Sequence, residues 1–146
     1  DVYKRQEYLR LASWLDLYDL RRLAARLQFD LEVCESDRPE SLGARWAELM
    51  FDATRVRHDP RGFLTRLGQR FGSARELRAR LLSATLARAL EERFDEDWYR
   101  NPRSGKFLRQ WLAGGLSRDA TELSELLGQT GLVADPLIAT VRDRLG

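Results

Sequence analysis

The stretch FGSARELRARLLSATLARALEERFDEDW, residues 71–98, decides the fold of this chain. Ser73 can accept a bond from an orphan backbone N–H and so serve as a helix N-cap. After it, no proline or glycine breaks the stretch. At about 100° per residue, Leu77, Leu81 and Ala84 share one side, and Leu82, Leu86, Leu90 and Phe94 step round another. Only Glu76, Arg80, Ser83 and Glu91 form a plainly polar stripe. A helix apolar over most of its circumference needs neighbours on more than one side. The prediction is an all-α fold, an irregular bundle of about six to seven helices around a long central helix over about 73–95.

Working upstream, Leu20, Leu23, Ala24, Leu27, Leu31 and Cys34 recur at spacings of three and four, with Trp14, Leu15, Leu17 and Tyr18 before them. The segment Tyr8–Cys34 reads as a helix with Cys34 as a small buried hydrophobe. A reactive thiol would want a helix N-terminus or a cationic neighbour. Leu42, Trp46, Leu49, Met50, Ala53 and Val56 mark one face of the next helix. Asp59-Pro60, Asn101-Pro102 and Asp135-Pro136 each put a capping side chain before a proline. There the missing N–H costs nothing and the fixed φ suits a helix start, and Pro39 announces another. These signals predict helices from Pro60 to Leu67, Pro102 to Ala113, Ser117 to Leu127 and Pro136 to Leu145. Gly114-Gly115 and Gly128 serve as stops. No segment alternates with period two, so no sheet is expected.

The length of 146 residues suits one domain, and a 43% apolar share with four tryptophans suits a globular one. No apolar run approaches the ~20 residues that cross a bilayer, and no signal-peptide pattern heads the chain. The 25 basic and 23 acidic residues leave a net charge of +2. That balance exerts no strong pull on nucleic acid or anionic lipid, so neither is an expected partner. Cys34 is the only cysteine and can form no internal disulfide, which points to a reducing, cytoplasmic compartment. The chain opens at Asp1 and its only methionine is Met50. The opening DVYKRQ looks like translated adapter read-through of a metagenomic contig; a processed or trimmed start is the alternative. On either reading the chain is a fragment. Residues 1–6 are then set aside on the first reading, leaving 7–146 as a single helical domain.

Chemistry is sparse. Zinc hydrolysis commonly uses two histidines one helical turn apart, and this chain has only His58, read as a solvated turn residue beside Asp59. The same scarcity disfavours Ser-His-Asp and Cys-His schemes. Gly62, Gly68 and Gly72 are too far apart for a phosphate loop. Asp95-Glu96-Asp97 reads as a capping or solvated run. Arg75 and Arg78 fall on the apolar side of the central helix, where each must snorkel or find a carboxylate. A structural ion pair is the favoured reading, and binding of a substrate carboxylate the alternative.

The motif order from Leu23 to Trp111 resembles the C-terminal helical region of bacterial zinc metallopeptidases of the thimet oligopeptidase and oligoendopeptidase type, related to the carboxypeptidase Taq group. The resemblance rests on Leu23-Ala24-Ala25-Arg26-Leu27 running into Leu31-Glu32, and on Phe71-Gly72-Ser73-Ala74-Arg75-Glu76-Leu77-Arg78-Ala79. It continues through Leu90-Glu91-Glu92-Arg93-Phe94, Asp97-Trp98-Tyr99-Arg100-Asn101-Pro102 and Gly105-Lys106-Phe107-Leu108. The family's zinc-binding His-Glu-x-x-His helix lies upstream and is absent from this chain. The resemblance therefore implies a non-catalytic portion of a zinc-dependent peptidase. Its helices would wall the channel of a peptide substrate and back a zinc site held by the upstream part of the same polypeptide. It further implies that Phe71, Gly72, Ser73, Arg75 and Arg78 edge that channel. Phe71 lacks a hydroxyl, so the family's oxyanion-donating tyrosine does not carry over to it; either Ser73 or Arg75 takes that role, or the lineage is divergent or inactive.

The alternative is a helical scaffold or protein-interaction domain with no enzymatic role. A body cut from a larger protein is expected to expose a contiguous apolar patch around Trp14, Tyr18 and the Arg75–Arg78 edge, whereas a self-sufficient domain exposes one defined groove.

Overall fold

The computed structural model describes residues 2–65 and 71–145. Among them are six α-helices and no strand: α1 Val2–Glu35, α2 Gly43–Thr54, α3 Gly72–Phe94, α4 Pro102–Trp111, α5 Ala120–Glu125 and α6 Asp135–Leu145. The all-α fold is as expected. Shorter 3-10 segments lie at Pro39–Ser41, Pro60–Thr65, Trp98–Arg100 and Leu112–Ser117. The helix expected from Pro60 to Leu67 is thus a 3-10 segment as far as Thr65, and its last two residues lie outside the described ones.

The helices form two compact units. The first runs to Leu77 and takes in the end of α6 from Arg144; the second runs from Arg78 to Asp143. In the first unit α1 is 34 residues long because no proline or glycine precedes Pro39. At 1.5 Å per residue it is roughly 50 Å of continuous helix. It ends at Glu35, shortly before Pro39, which keeps Arg38 out of the helical region at φ −133° and ψ 66°. Ala25 and Phe29 of α1 pack with Trp46, Leu49 and Met50 of α2 and with Phe63, and Val33, Leu42 and Ala53 close the edge. The Phe29 ring meets Trp46 and Phe63 edge-on, at centroid distances of 5.1 and 5.9 Å. Both are favourable quadrupole geometries. Gly43 opens α2 where a Cβ would sit 2.7 Å from the Pro60 carbonyl oxygen, so the close approach of these segments requires glycine.

The covered face of α1 differs from the expected stripe. Leu23 is buried, but Leu31 is 51% exposed and Cys34 is exposed too, which corrects the reading of a buried thiol. The helix is apolar on two sides, and α2 covers the side carrying Ala25, Phe29 and Val33, nearly opposite Leu27 and Leu31. Beside that core Arg45 of α2 grips Glu32 of α1 with two bonds of 2.9 Å and Glu48 with one of 2.7 Å. The Arg45 hydrogen bond holds the Glu32 carboxyl below its usual range, outweighing the opposing desolvation. A carboxylate depressed on folding stabilises the fold above its unfolded pKa of about 4.3, and that contribution fades as pH falls through the lower folded value. Denaturant titrations between pH 6 and 3 are expected to show a smaller acid-induced loss for Glu32→Gln than for the parent chain.

In the second unit Ala89 of α3, Trp111 at the end of α4 and Leu127 form the buried centre, flanked by Leu82, Leu86, Phe107 and Leu123. Trp111 also donates its indole N–H to the Leu123 carbonyl at 3.1 Å. The fully buried Ser124 hydroxyl donates to the Gly131 carbonyl at 2.8 Å. Asn101 caps α4 by accepting from the Arg103 N–H at 3.0 Å, with Pro102 at the first helical position, as the dipeptide predicts. The expected cap Ser117 does not start α5, since its hydroxyl donates to the Gly114 carbonyl. Asp119 takes that role because Glu122, three residues on, completes a reciprocal capping box. Gly128 stands at φ +89° just past α5, in the left-handed region that suits a helix stop.

The long helix runs over Gly72–Phe94, against an expected 73–95. Ser73, Thr85, Ala89 and Leu90 are buried along it, and Leu77, Leu81, Leu82, Ala84 and Leu86 are half-buried. Of the polar stripe, Glu76, Ser83 and Glu91 are exposed and Arg80 is half-buried, and Arg75, Arg78 and Ala79 are exposed as well. The covered arc is therefore narrower than the apolar arc.

Candidate functional site

The start of α3 carries the residues expected to edge a channel. Phe71 takes a left-handed φ of +55° and is 40% exposed, and its carbonyl accepts the Arg75 N–H at 3.2 Å. Space is open around Gly72, where a Cβ would meet nothing within 4 Å. Ser73 points inward: at 2% exposure its hydroxyl donates to Asp30 Oδ2 of α1 at 2.5 Å. It lies inside the first turn of α3 and makes that tertiary bond, so the capping role read from the sequence is replaced by an anchor. Arg75 is exposed. Arg78, in the second unit, donates to Thr121 Oγ1 at 3.2 Å and pairs with Asp119 at 3.6 Å, at the N-terminus of α5. This is the structural ion pair favoured for it.

His58 is half-buried against Trp46, with ring centroids 6.5 Å apart, and its Nε2 lies 3.5 Å from Thr54 Oγ1. That corrects the reading of a solvated histidine. Among the described residues no three His, Cys, Asp or Glu side chains are grouped to hold a metal. The donor set zinc would need is not assembled by these residues. No helix among the described residues is long and apolar enough to cross a membrane. Asp95, Glu96 and Asp97 are exposed, and Asp97 makes no capping bond.

The feature with binding geometry lies on α1. Tyr8, Leu11, Leu15, Tyr18, Arg22, Ala25 and Phe29 recur at alternating spacings of three and four, one continuous seam down the helix. From Ala25 onward α2 covers it. Before Tyr18 it is bare: Tyr8 is 69%, Leu11 60% and Leu15 58% exposed, with Trp14 beside them at 57%. On the far side of the same stretch Ser13 is 5% exposed, Asp16 lies 3.4 Å from Arg144 in an exposed pair, and Leu9 is 51% exposed. Where α2 ends, Trp14, Leu17, Tyr18 and Arg21 of α1 and Ala53, Thr54 and Arg55 line a hollow of about 140 Å³. Arg21 donates to the Asp52 carbonyl at 3.1 Å, a cation on the carbonyl end of α2 that its dipole favours. Arg55 turns the chain away at φ +59°, its N–H bonded to the Phe51 carbonyl at 2.7 Å.

Trp14 and Tyr18 were legible as a candidate exposed patch; the seam joining Tyr8 to Phe29 was missed. The signal was there, a strict seven-residue repeat from Tyr8 through Leu15 and Arg22 to Phe29, but the arginine in it hides the pattern. By architecture the chain is an all-α protein of two small helical units. No known family, no curated protein and no solved structure matches it.

Proposed function

We propose that this chain contributes surface and support in place of chemistry, as a non-catalytic helical body that docks against protein. The observation that carries this reading is the bare stretch of the α1 seam, where Tyr8, Leu11, Trp14 and Leu15 are each more than half exposed. Monomeric domains leave such contiguous apolar faces uncovered mainly where something binds. The motif order favours one version: the helical portion of a zinc-dependent peptidase, with zinc and the catalytic groups supplied by the upstream part of the polypeptide. In that version the α3 edge, with Phe71, Gly72, Ser73, Arg75 and Arg78, borders the peptide channel. The other version is a scaffold or interaction domain with no enzymatic role, for which the bare seam is the binding face.

The upstream reading frame separates them. On the peptidase version it encodes a His-Glu-x-x-His helix, and the joined protein cleaves a peptide in a zinc-dependent manner while this chain alone does not. An upstream frame without metal ligands leaves the scaffold version.

A further inference from the structure

The bare seam on α1 is complementary to itself. Written as heptads, α1 places Tyr8, Leu15, Arg22 and Phe29 at a positions and Leu11, Tyr18 and Ala25 at d. Glu7, Trp14 and Arg21 then fall at g, on one flank. In an antiparallel pair of helices an a residue meets a d residue, and g residues face g residues. With the two-fold axis crossing the seam at the level of residues 13–14, Tyr8 meets the partner's Tyr18 and Leu11 meets the partner's Leu15. On the flank, Glu7 faces the partner's Arg21, twice by symmetry, and the two Trp14 rings meet at the centre. Opposite charges thus stand at equal distances on either side of the midpoint of the exposed stretch. A symmetric interface demands that arrangement, in which one patch serves both partners.

We propose that the occupant of this seam is a second copy of the chain, paired antiparallel through residues 8–18 of α1. The inference rests on the reading of α1 as a docking face and names its partner. On α1 itself, α2 ends beside Tyr18 and Arg21 and leaves the seam before them to the partner. The seam is thereby covered along its length, by α2 over one half and by the partner over the other. Two tyrosines, two leucines and a tryptophan from each copy bury on the order of 1,000 Å² in total, the low end for a specific interface. The pair is therefore a weak dimer with a dissociation constant in the ~micromolar range.

Sedimentation velocity over a concentration series up to about 100 µM spans that range and tests the proposal. The parent chain is expected to pass from monomer to dimer. Leu15→Glu, at a position exposed in the single chain, is expected to weaken the dimer by roughly 30-fold or more with an unchanged helical spectrum. Glu7→Arg is expected to weaken it about fivefold, Arg21→Glu by at least as much because it also puts a carboxylate at the carbonyl end of α2, and the double exchange to restore the part due to the pair. A dimer indifferent to Leu15→Glu, or one that the double exchange leaves as weak as Arg21→Glu alone, overturns the proposal. So does a chain that stays monomeric. In that last case acrylamide quenching, with Trp14→Phe used to isolate the Trp14 emission, separates the two levels. An accessible Trp14 leaves the docking face intact with a different partner, and a shielded Trp14 removes the docking face as well.

Discussion

Phe29→Ala is expected to cost about 3–5 kcal/mol, the usual range for truncating a buried aromatic ring. That is a large part of the ~5–15 kcal/mol available to a domain. Phe29 is 2% exposed and is the shared partner of Trp46 and Phe63, so its loss empties the junction where α1, α2 and the Pro60–Thr65 segment meet. Urea unfolding measures the loss. Hydrogen exchange locates it: amides of α2 are expected to lose protection while those of α4 and α5 keep theirs, because a separate cluster holds the latter. Phe29→Leu keeps most of the volume and is expected to cost less than half as much. Equal losses for the two variants would show that the site collapses around either side chain.

Trp111→Ala is the matching test of the second unit, with an expected cost again of about 3–5 kcal/mol. Here the exchange pattern reverses, with α4 and α5 opening and α2 protected. Trp111 has a second duty that Phe29 lacks, since its indole N–H serves the Leu123 carbonyl. Trp111→Phe preserves much of the packing but leaves that carbonyl without its donor, an expected cost of about 1–3 kcal/mol. A neutral Trp111→Phe would mean that the hydrogen bond contributes little beyond ring packing.

The all-α class, the long helix over residues 72–94 and the starts near Pro60, Pro102 and Pro136 were legible because their signals are local. A capping side chain before proline acts on the next turn whatever the rest of the chain does. Tertiary choices were not legible in the same way. α1 carries apolar residues on two sides, and which one α2 covers depends on the short Ser36–Leu42 connection and on the close contact at Gly43, not on periodicity. Hence periodicity favours the stripe ending at Leu31 and Cys34, while Ala25, Phe29 and Val33 form the contact. Ser73 shows the same limit, since a serine at a helix start reads as a cap until a distant Asp30 takes its hydroxyl. Of the candidate site, the exposed Trp14 was anticipated. The symmetry of the seam was not, because it appears only once α2 is known to stop at Thr54.

The exposed sulfur of Cys34 is the sole thiol in the chain, so a nitroxide can be attached at one known point without engineering. It sits about twenty residues beyond the midpoint of the bare seam, clear of every residue from Tyr8 to Tyr18. By helical rise alone, two such labels in an antiparallel pair stand roughly 60 Å apart, whereas side-by-side parallel helices bring them within about 20 Å. Pulsed dipolar spectroscopy thus reads helix direction from the unmodified sequence. The same sulfur also requires reductant in solution, since air oxidation would join chains by a covalent link unrelated to the seam.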